Sequence, residues 1–385
     1  MVGVADLPLH SGHVPRWMLK IMKELAQGII NVIVLEFGPG TIIEGLKDPL
    51  WFQAFNNIIG MDWDSSGSTT VLTGILKDIT WKNPELGFIV LGGKGAKGLK
   101  VPEEINVLGE LYNITTNKLN ELEKASRIAA KADTAFFQDG YKLYHHALIV
   151  TESGSWTVIQ QGMSEKEKMA RRYHIDCSLI HSIHSGVAGI PETHITLNLS
   201  VNEALDSLRF ITDLTKEPPK KILNLVAEAN SMIQPNILDY INSGRVTRKH
   251  ARRGYYIPVK PSRQLIRSLE TLYEYQPRTP EELALVRGAG PATIRALALI
   301  SDLIYSVPSP DKDNVTHPIE PYRYTYAVGG KDGIPYPFDS KTARKVIEIL
   351  EYAVNEAKLD DKMKLRAIKR MRTILPWWRK HGLQI

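Results

Sequence analysis

Cysteine is almost absent: Cys177 is the single thiol in 385 residues. One cysteine excludes an internal disulfide and sets the expectation of a cytoplasmic protein, where thiols stay reduced. As a chemical group it reads more simply as a small packed side chain than as a thiolate nucleophile. Long apolar runs are missing as well. No stretch reaches the roughly 18 uninterrupted apolar residues of a membrane span. Residues 1–8 lack the basic-then-apolar layout of a signal peptide. No glycine-rich loop ends in the Gly-Lys-Ser/Thr of a nucleotide-binding P-loop, so ATP use has no support. Internal repeats and low-complexity tracts are also lacking.

What is present is charge, unevenly placed. The chain carries a net +6. Residues 241–385 hold 26 Lys and Arg against 15 Asp and Glu, whereas residues 1–240 hold 22 against 27. The basic half is suited to a polyanion and to electrostatic steering toward it. The mildly acidic half suits a site that collects cations. Partners of the first kind mean DNA held by its backbone; no membrane partner is expected.

One run in the basic half is specific. Residues 286–297 read Val-Arg-Gly-Ala-Gly-Pro-Ala-Thr-Ile-Arg-Ala-Leu, a pattern that resembles the DNA-binding helix-hairpin-helix motif. Gly288 and Gly290 allow a sharp turn and close backbone approach. Pro291 suits the first turn of a helix, whose amides and dipole favour a phosphate. Thr293 supports the hairpin, and Arg287 and Arg295 flank it as phosphate-seeking cations. The blander alternative is an ordinary helical corner with a glycine cap. A single hairpin has a small footprint, so a homodimer is expected to double it.

The first half is dense in groups that do chemistry. Segments around His10 and His13, Asp62 and Asp64, Ser65–Thr70, Gly92-Gly93-Lys94-Gly95, Asp133, Asp139, His145-His146, Gln160-Gln161 and Arg171-Arg172-Tyr173-His174 follow one another. These segments, in this order, together with the stretch from Gly330 to Pro337, resemble a family of archaeal and bacterial proteins of unknown function. That resemblance implies a shared fold and leaves activity to the residues. His10, Asp62, Asp133 and Asp139 are expected as ligands of a divalent metal, Mg²⁺ or Mn²⁺, with Zn²⁺ or Fe²⁺ as softer options. Lys94, His145, His146, Arg171 and His174 are expected as the catalytic set, supplying acid–base groups and charge neutralisation. Together they are ingredients of a metal-dependent nuclease with a role in DNA repair. Three alternatives stand beside it. One is a non-catalytic DNA-binding scaffold. A second is a phospholipase D-like nuclease using His146, although Ala147 and Leu148 stand where lysine is needed. The third is a DNA glycosylase using Asp311 or Asp313.

The expected fold class is α+β, with a mixed α/β domain over 1–200, a helical connector with a basic linker over 201–260, and a basic helical domain over 261–385. Strands are expected at 87–91, 141–150 and 156–160. Residues 29–37 read as a strand or a buried helix end. Helices are expected after Pro15 and over 50–59, 70–78, 110–133, 164–173, 201–214, 218–233, 261–275, 279–287, 291–305, 341–358 and 360–374. On a strand, His145 and His146 must face opposite ways. If 164–173 is helical, Arg171 and Arg172 diverge and His174 shares a face with Arg171.

Overall fold

The computed structural model describes residues 7, 14–62, 65–190, 196–233, 255–317, 328–333 and 337–356. His10, His13 and Asp64 lie outside them, as do the basic cluster at 245–253 and the expected final helix at 360–374. Four helices open the fold: α1 (Arg16–Phe37), α2 (Pro39–Lys47), α3 (Pro49–Ile58) and α4 (Gly67–Lys82). The run at 29–37 is therefore the end of one 22-residue helix, stopped at Gly38, whose φ of +81° is the left-handed region favouring glycine.

A five-stranded antiparallel sheet follows in the order β1-β3-β4-β5-β6, from β1 (Phe88–Lys94), β3 (Lys142–Thr151), β4 (Trp156–Ser164), β5 (Met169–Ile175) and β6 (His184–Ala188). A separate pair is formed by β2 (Phe137–Gln138) and β7 (Leu197–Asn198). Between β1 and β2 stand α5 (Val101–Tyr112) and α6 (Thr116–Lys131). The continuous helix expected over 110–133 is broken at Asn113, which has φ +54°; Thr115 then caps α6 by accepting the Lys118 amide. After α6 the backbone widens into a π turn over Ala132–Phe136.

Alternation sorts the sheet into two buried faces. Phe88, Val90, Ala147, Ile149 and Ile159 pack with α1–α4. Ile89, Leu91, Leu148, Val150, Val158 and Ile175 join a larger core that runs through α5 and α6 into the C-terminal helices. Both sheet edges are covered, β1 by side chains and β6 by one side chain and two backbone amides. On β1, the Val90 amide donates to the Thr80 hydroxyl oxygen and its carbonyl accepts the Trp81 indole N–H, while Gly92 is held by Lys77 and Glu104. On β6, Val187 is covered by Thr316 and His317. Edges so covered offer no template for another strand.

From residue 205 onward the named elements are helices: α7 (Leu205–Leu214), α8 (Pro219–Ile233), α9 (Arg263–Tyr275), α10 (Pro280–Leu285), α11 (Pro291–Leu303) and α12 (Ser340–Glu356). The α+β class holds, and among the described residues the named strands all lie in the N-terminal region. One expected helix, 164–173, is a turn and a strand instead. Ser164 Oγ accepts the Glu167 amide, so its capping chemistry closes a single turn. Met169–Ile175 then pairs along β4, from Ser164↔Met169 to Val158↔Ile175.

α12 returns to lie along α1, bringing two buried carboxylates into one seam. Glu24 and Glu351 are 4% and 7% exposed, and the Oε1 of each lacks a partner among the described residues. Burial, then Glu348 and Glu24, push Glu351 up to about 7. Burial likewise raises Glu24, against Lys20 and Arg344. A carboxyl whose folded pKa is raised supports the fold below its unfolded value and loses that support as pH rises through the folded one. Glu351→Gln is therefore expected to melt near the wild type at pH 5 and above it at pH 8. Thermal melts at the two pH values check this; an equal displacement at both would show that the seam does not titrate.

Candidate functional site

The polar residues of the sheet divide across its two faces, and this division governs what they can do. On the face toward α6, His146 donates from Nδ1 to Gln160 Oε1 at 2.6 Å and accepts from Ser126 Oγ at Nε2, 2.8 Å away. The amide orientation is fixed because Gln160 Nε2 donates to Ala129 O and to Asp133 Oδ2. The second oxygen of Asp133 receives His184 Nε2 at 2.6 Å. The chain Ser126–His146–Gln160–Asp133–His184 thus crosses from α6 to β6 through the π turn. Burial lowers the pKa of His146, against Gln160 and Asp133, so it stays neutral with one fixed tautomer.

The same face holds a second network one strand over. Arg171 donates to Asp139 Oδ2 at 3.1 Å and makes a two-bond fork with Asp313, at 2.9 and 2.5 Å. Tyr173 Oη also donates to Asp139 Oδ2, at 2.6 Å, and the Tyr141 amide donates to Oδ1. Burial outweighs the lowering by Arg171 and Tyr173 and leaves Asp139 pushed up to about 6. Burial acts to lower Arg171, but Asp139 and Asp313 outweigh it and hold the guanidinium well above its ordinary value.

On the face toward α4 stand His145, Gln161, Arg172 and His174. Thr73 Oγ1 gives its proton to Thr69 O, so His145 Nε2 must donate to that hydroxyl, 3.1 Å away. Burial, then His146 and Lys94, lower His145 to about 3. His174 donates from Nδ1 to Leu46 O at 2.7 Å and accepts Arg172 Nε at Nε2. Burial, then Arg172, hold it well below the usual imidazole range. Arg172 is fully buried, touches Gln53 Oε1 and the Phe52 ring, and has no carboxylate partner among the described residues. Burial lowers it to about 9. Asp62 is buried on this side, accepting the Asp332 amide at 2.9 Å with Lys331 Nζ at 3.7 Å; burial raises its pKa. Ser65–Thr70 is not an open phosphate cradle. Ser68 Oγ bonds Asp62 O, Thr70 Oγ1 bonds Gly67 O, and Ser65 Oγ accepts the Gly67 amide.

The expected catalytic set therefore does not meet. His146 and Arg171 lie on one face; Lys94, His145 and His174 lie on the other. Arg171 and His174 do not share a face, because β5 is a strand and parity pairs Arg172 with His174. The expected metal ligands part in the same way, Asp62 from Asp133 and Asp139. The oxygens of Asp133 and Asp139 are already bonded to protein donors. Among the described residues no group of three or more His, Cys, Asp or Glu is placed to hold a metal ion. Sequence reasoning missed Ser126 and gave no role to Gln160, Tyr173 or His184; only the strand pairing of 169–175 places Tyr173 on the face of Arg171.

The hairpin between α10 and α11 is built differently. Gly288 has φ +113°, and a Cβ there would stand 3.1 Å from the backbone of Ser268 in α9, so only glycine fits. Ala289 and Gly290 turn back through bonds to Val286 O and Gly288 O. Gly290 is the N-cap of α11, with Pro291 in its first turn. Arg287, Pro291 and Ala292 are exposed, while Thr293 and Ile294 are buried. The hairpin carbonyls point inward: Lys131 Nζ donates to Ala289 O at 3.1 Å and Gln138 Nε2 to Pro291 O at 2.9 Å. Arg295 is half-buried, with its guanidinium on Gln138 Oε1.

No single described helix is long and apolar enough to cross a membrane. No curated protein and no solved structure matches the chain. A family profile does, over residues 3–338, and by that match the chain belongs to the family described as protein of unknown function (DUF763).

Proposed function

We propose that this protein is a DNA-binding scaffold that holds the duplex by its backbone, without sequence preference, through the α10–α11 hairpin. The observation that carries the reading is the polarity of that hairpin. Its carbonyls are engaged inside by Lys131 and Gln138, while Arg287 and the start of α11 at Pro291 and Ala292 are exposed. Amides without an intrahelical acceptor, at the positive end of a helix dipole, suit a phosphate oxygen. Contacts of this kind position a protein on DNA and carry no base information. A second copy of the chain would add a second hairpin to a small footprint.

Hydrolysis is the less supported half of the sequence reading. A metal-dependent nuclease needs carboxylates with free oxygens, and Asp133 and Asp139 spend theirs on Gln160, His184, Tyr173 and Arg171. A nucleophilic His146 would have to break both of its ring bonds. Asp313, the glycosylase candidate, is forked by Arg171.

Labelled duplexes of unrelated sequence, with and without EDTA, Mg²⁺ or Mn²⁺, test the proposal. Binding without cleavage is expected in every condition. Arg287→Ala is expected to weaken all duplexes alike and to reduce the salt slope by about 1. Ala292→Glu favours the helix start yet repels phosphate, and is expected to cost more. Metal-dependent cutting would replace the scaffold with a nuclease; unchanged binding in both variants would remove the hairpin from the interface.

A further inference from the structure

We propose that the α4 side of the N-terminal region carries a track for single-stranded nucleic acid, separate from the hairpin. Two adjoining grooves form it, meeting at Asp78. The first, about 290 Å³, runs between α1 and α4 and is lined by Arg16, Lys20, Lys23 and Lys82. The second, about 620 Å³, lies between α4 and the edge strand β1 and is lined by Lys77, Lys94 and Lys97. Among the described residues, seven cations thus face one lining carboxylate. Asp78 is shared by Lys23 and Lys82, at 2.7 and 2.8 Å, so even that acid leaves a positive balance. Lys77 is matched by Glu104 at 2.7 Å. Lys94 and Lys97 pair with no carboxylate among the described residues and are exposed.

Charge alone would suit any polyanion; the aromatic in the wall selects among them. Trp81 is 39% exposed and lines the larger groove. Its indole N–H donates to Val90 O at 2.8 Å, which pins the ring against the edge of the sheet. A fixed, partly open indole between lysines is a stacking platform beside a backbone track. That is the combination by which single strands are held without regard to sequence. Bases in a duplex are already stacked on each other and cannot use it. His145 in the same groove is held neutral by burial, so the positive charge there is that of the lysines. Gly92 keeps β1 close enough to β3 to leave this wall intact: a Cβ there would meet His146 O at 2.4 Å.

The track is independent of the hairpin reading, because α4 lies on one sheet face and the hairpin leans on α6 across the other. Fluorescence anisotropy with a labelled twenty-residue oligothymidylate and the full chain tests it. Lys94→Gln with Lys97→Gln is expected to weaken binding at least tenfold. The slope of log affinity against log salt should become shallower by about 1.4, two single-strand contacts' worth. Trp81→Leu should lose roughly five- to a hundredfold, with Trp81→Phe restoring most of it because a ring is retained. Ala292→Glu should leave oligothymidylate binding in place. The proposal is overturned if the wild type does not bind the oligomer, or if both groove variants, folded by circular dichroism, bind it as the wild type does. It is equally overturned if only the lysines matter, which would leave a surface for polyanions in general, or if Ala292→Glu abolishes binding.

Discussion

Arg171→Met is expected to remove roughly 3–5 kcal/mol of folding stability, the range for breaking a buried ion pair from one side. The reason is what remains behind. Arg171 is fully buried, with Asp139 and Asp313 on its guanidinium at 3.1 and 2.5 Å. Without it, Asp139 and Asp313 are left close together in a low-dielectric pocket, with Asp139 keeping the Tyr173 hydroxyl and the Tyr141 amide. Methionine fills most of the volume, so little of the loss would come from a cavity. Whole-domain stabilities are only about 5–15 kcal/mol, which makes this one guanidinium a large share. Adding Asp139→Asn should recover part of the loss, and Arg171→Lys should lose less than Arg171→Met while still losing the planar fork. Urea unfolding of the single and double variants measures both. A loss under about 1 kcal/mol for Arg171→Met would mean that the three groups are not coupled as drawn.

The neighbouring position should respond in the opposite direction. Arg172→Met is expected to gain about 1–3 kcal/mol, because burying an unpaired cation costs several kcal/mol that its contacts only partly offset. Those contacts are one bond to His174 Nε2 at 3.0 Å, two long ones to Gln53 Oε1 at 3.4 Å, and the Phe52 ring at 4.3 Å. None is a full negative charge. The substitution strands a ring nitrogen and an amide oxygen, each costing about 1–3 kcal/mol when left unsatisfied, and removes the larger cost of burying an unpaired cation. A rise in the urea midpoint at neutral pH is the expected result. Destabilisation beyond about 2 kcal/mol would mean that the guanidinium has a strong acceptor that the fold alone does not supply.

These two arginines also show how far the sequence could be read. The strand at 87–91 is legible, since a β-branched run opening onto glycines has few alternatives, although it runs on to Lys94; so are β3, β4 and most described helices after residue 200. The misreading at 164–173 came from local chemistry. Ser164 is a good N-cap and Glu165–Lys168 are good helix formers, yet pairing with β4 outweighs both. That single error moved Arg171, Arg172 and His174 onto the wrong faces. The parity of His145 and His146 was read correctly, and it already implied that they could not serve one site. Residue type alone suggested that acids and imidazoles would converge. Which face each takes depends on strand register and on partners such as Gln160 and His184, which no local pattern announces. The groove was partly visible: Lys77 and Trp81 are four residues apart on one helix, but Lys94 and Lys97 reach them only through the sheet.

The inward bonds of the hairpin have a mechanical consequence. With Ala289 and Pro291 fastened to Lys131 and Gln138, and Gly288 close against Ser268, the loop would meet the proposed phosphate ligand as a stiff part. Engagement then costs little ordering entropy, and any tug on that loop is passed straight into the end of α6 and the π turn that carries Asp133.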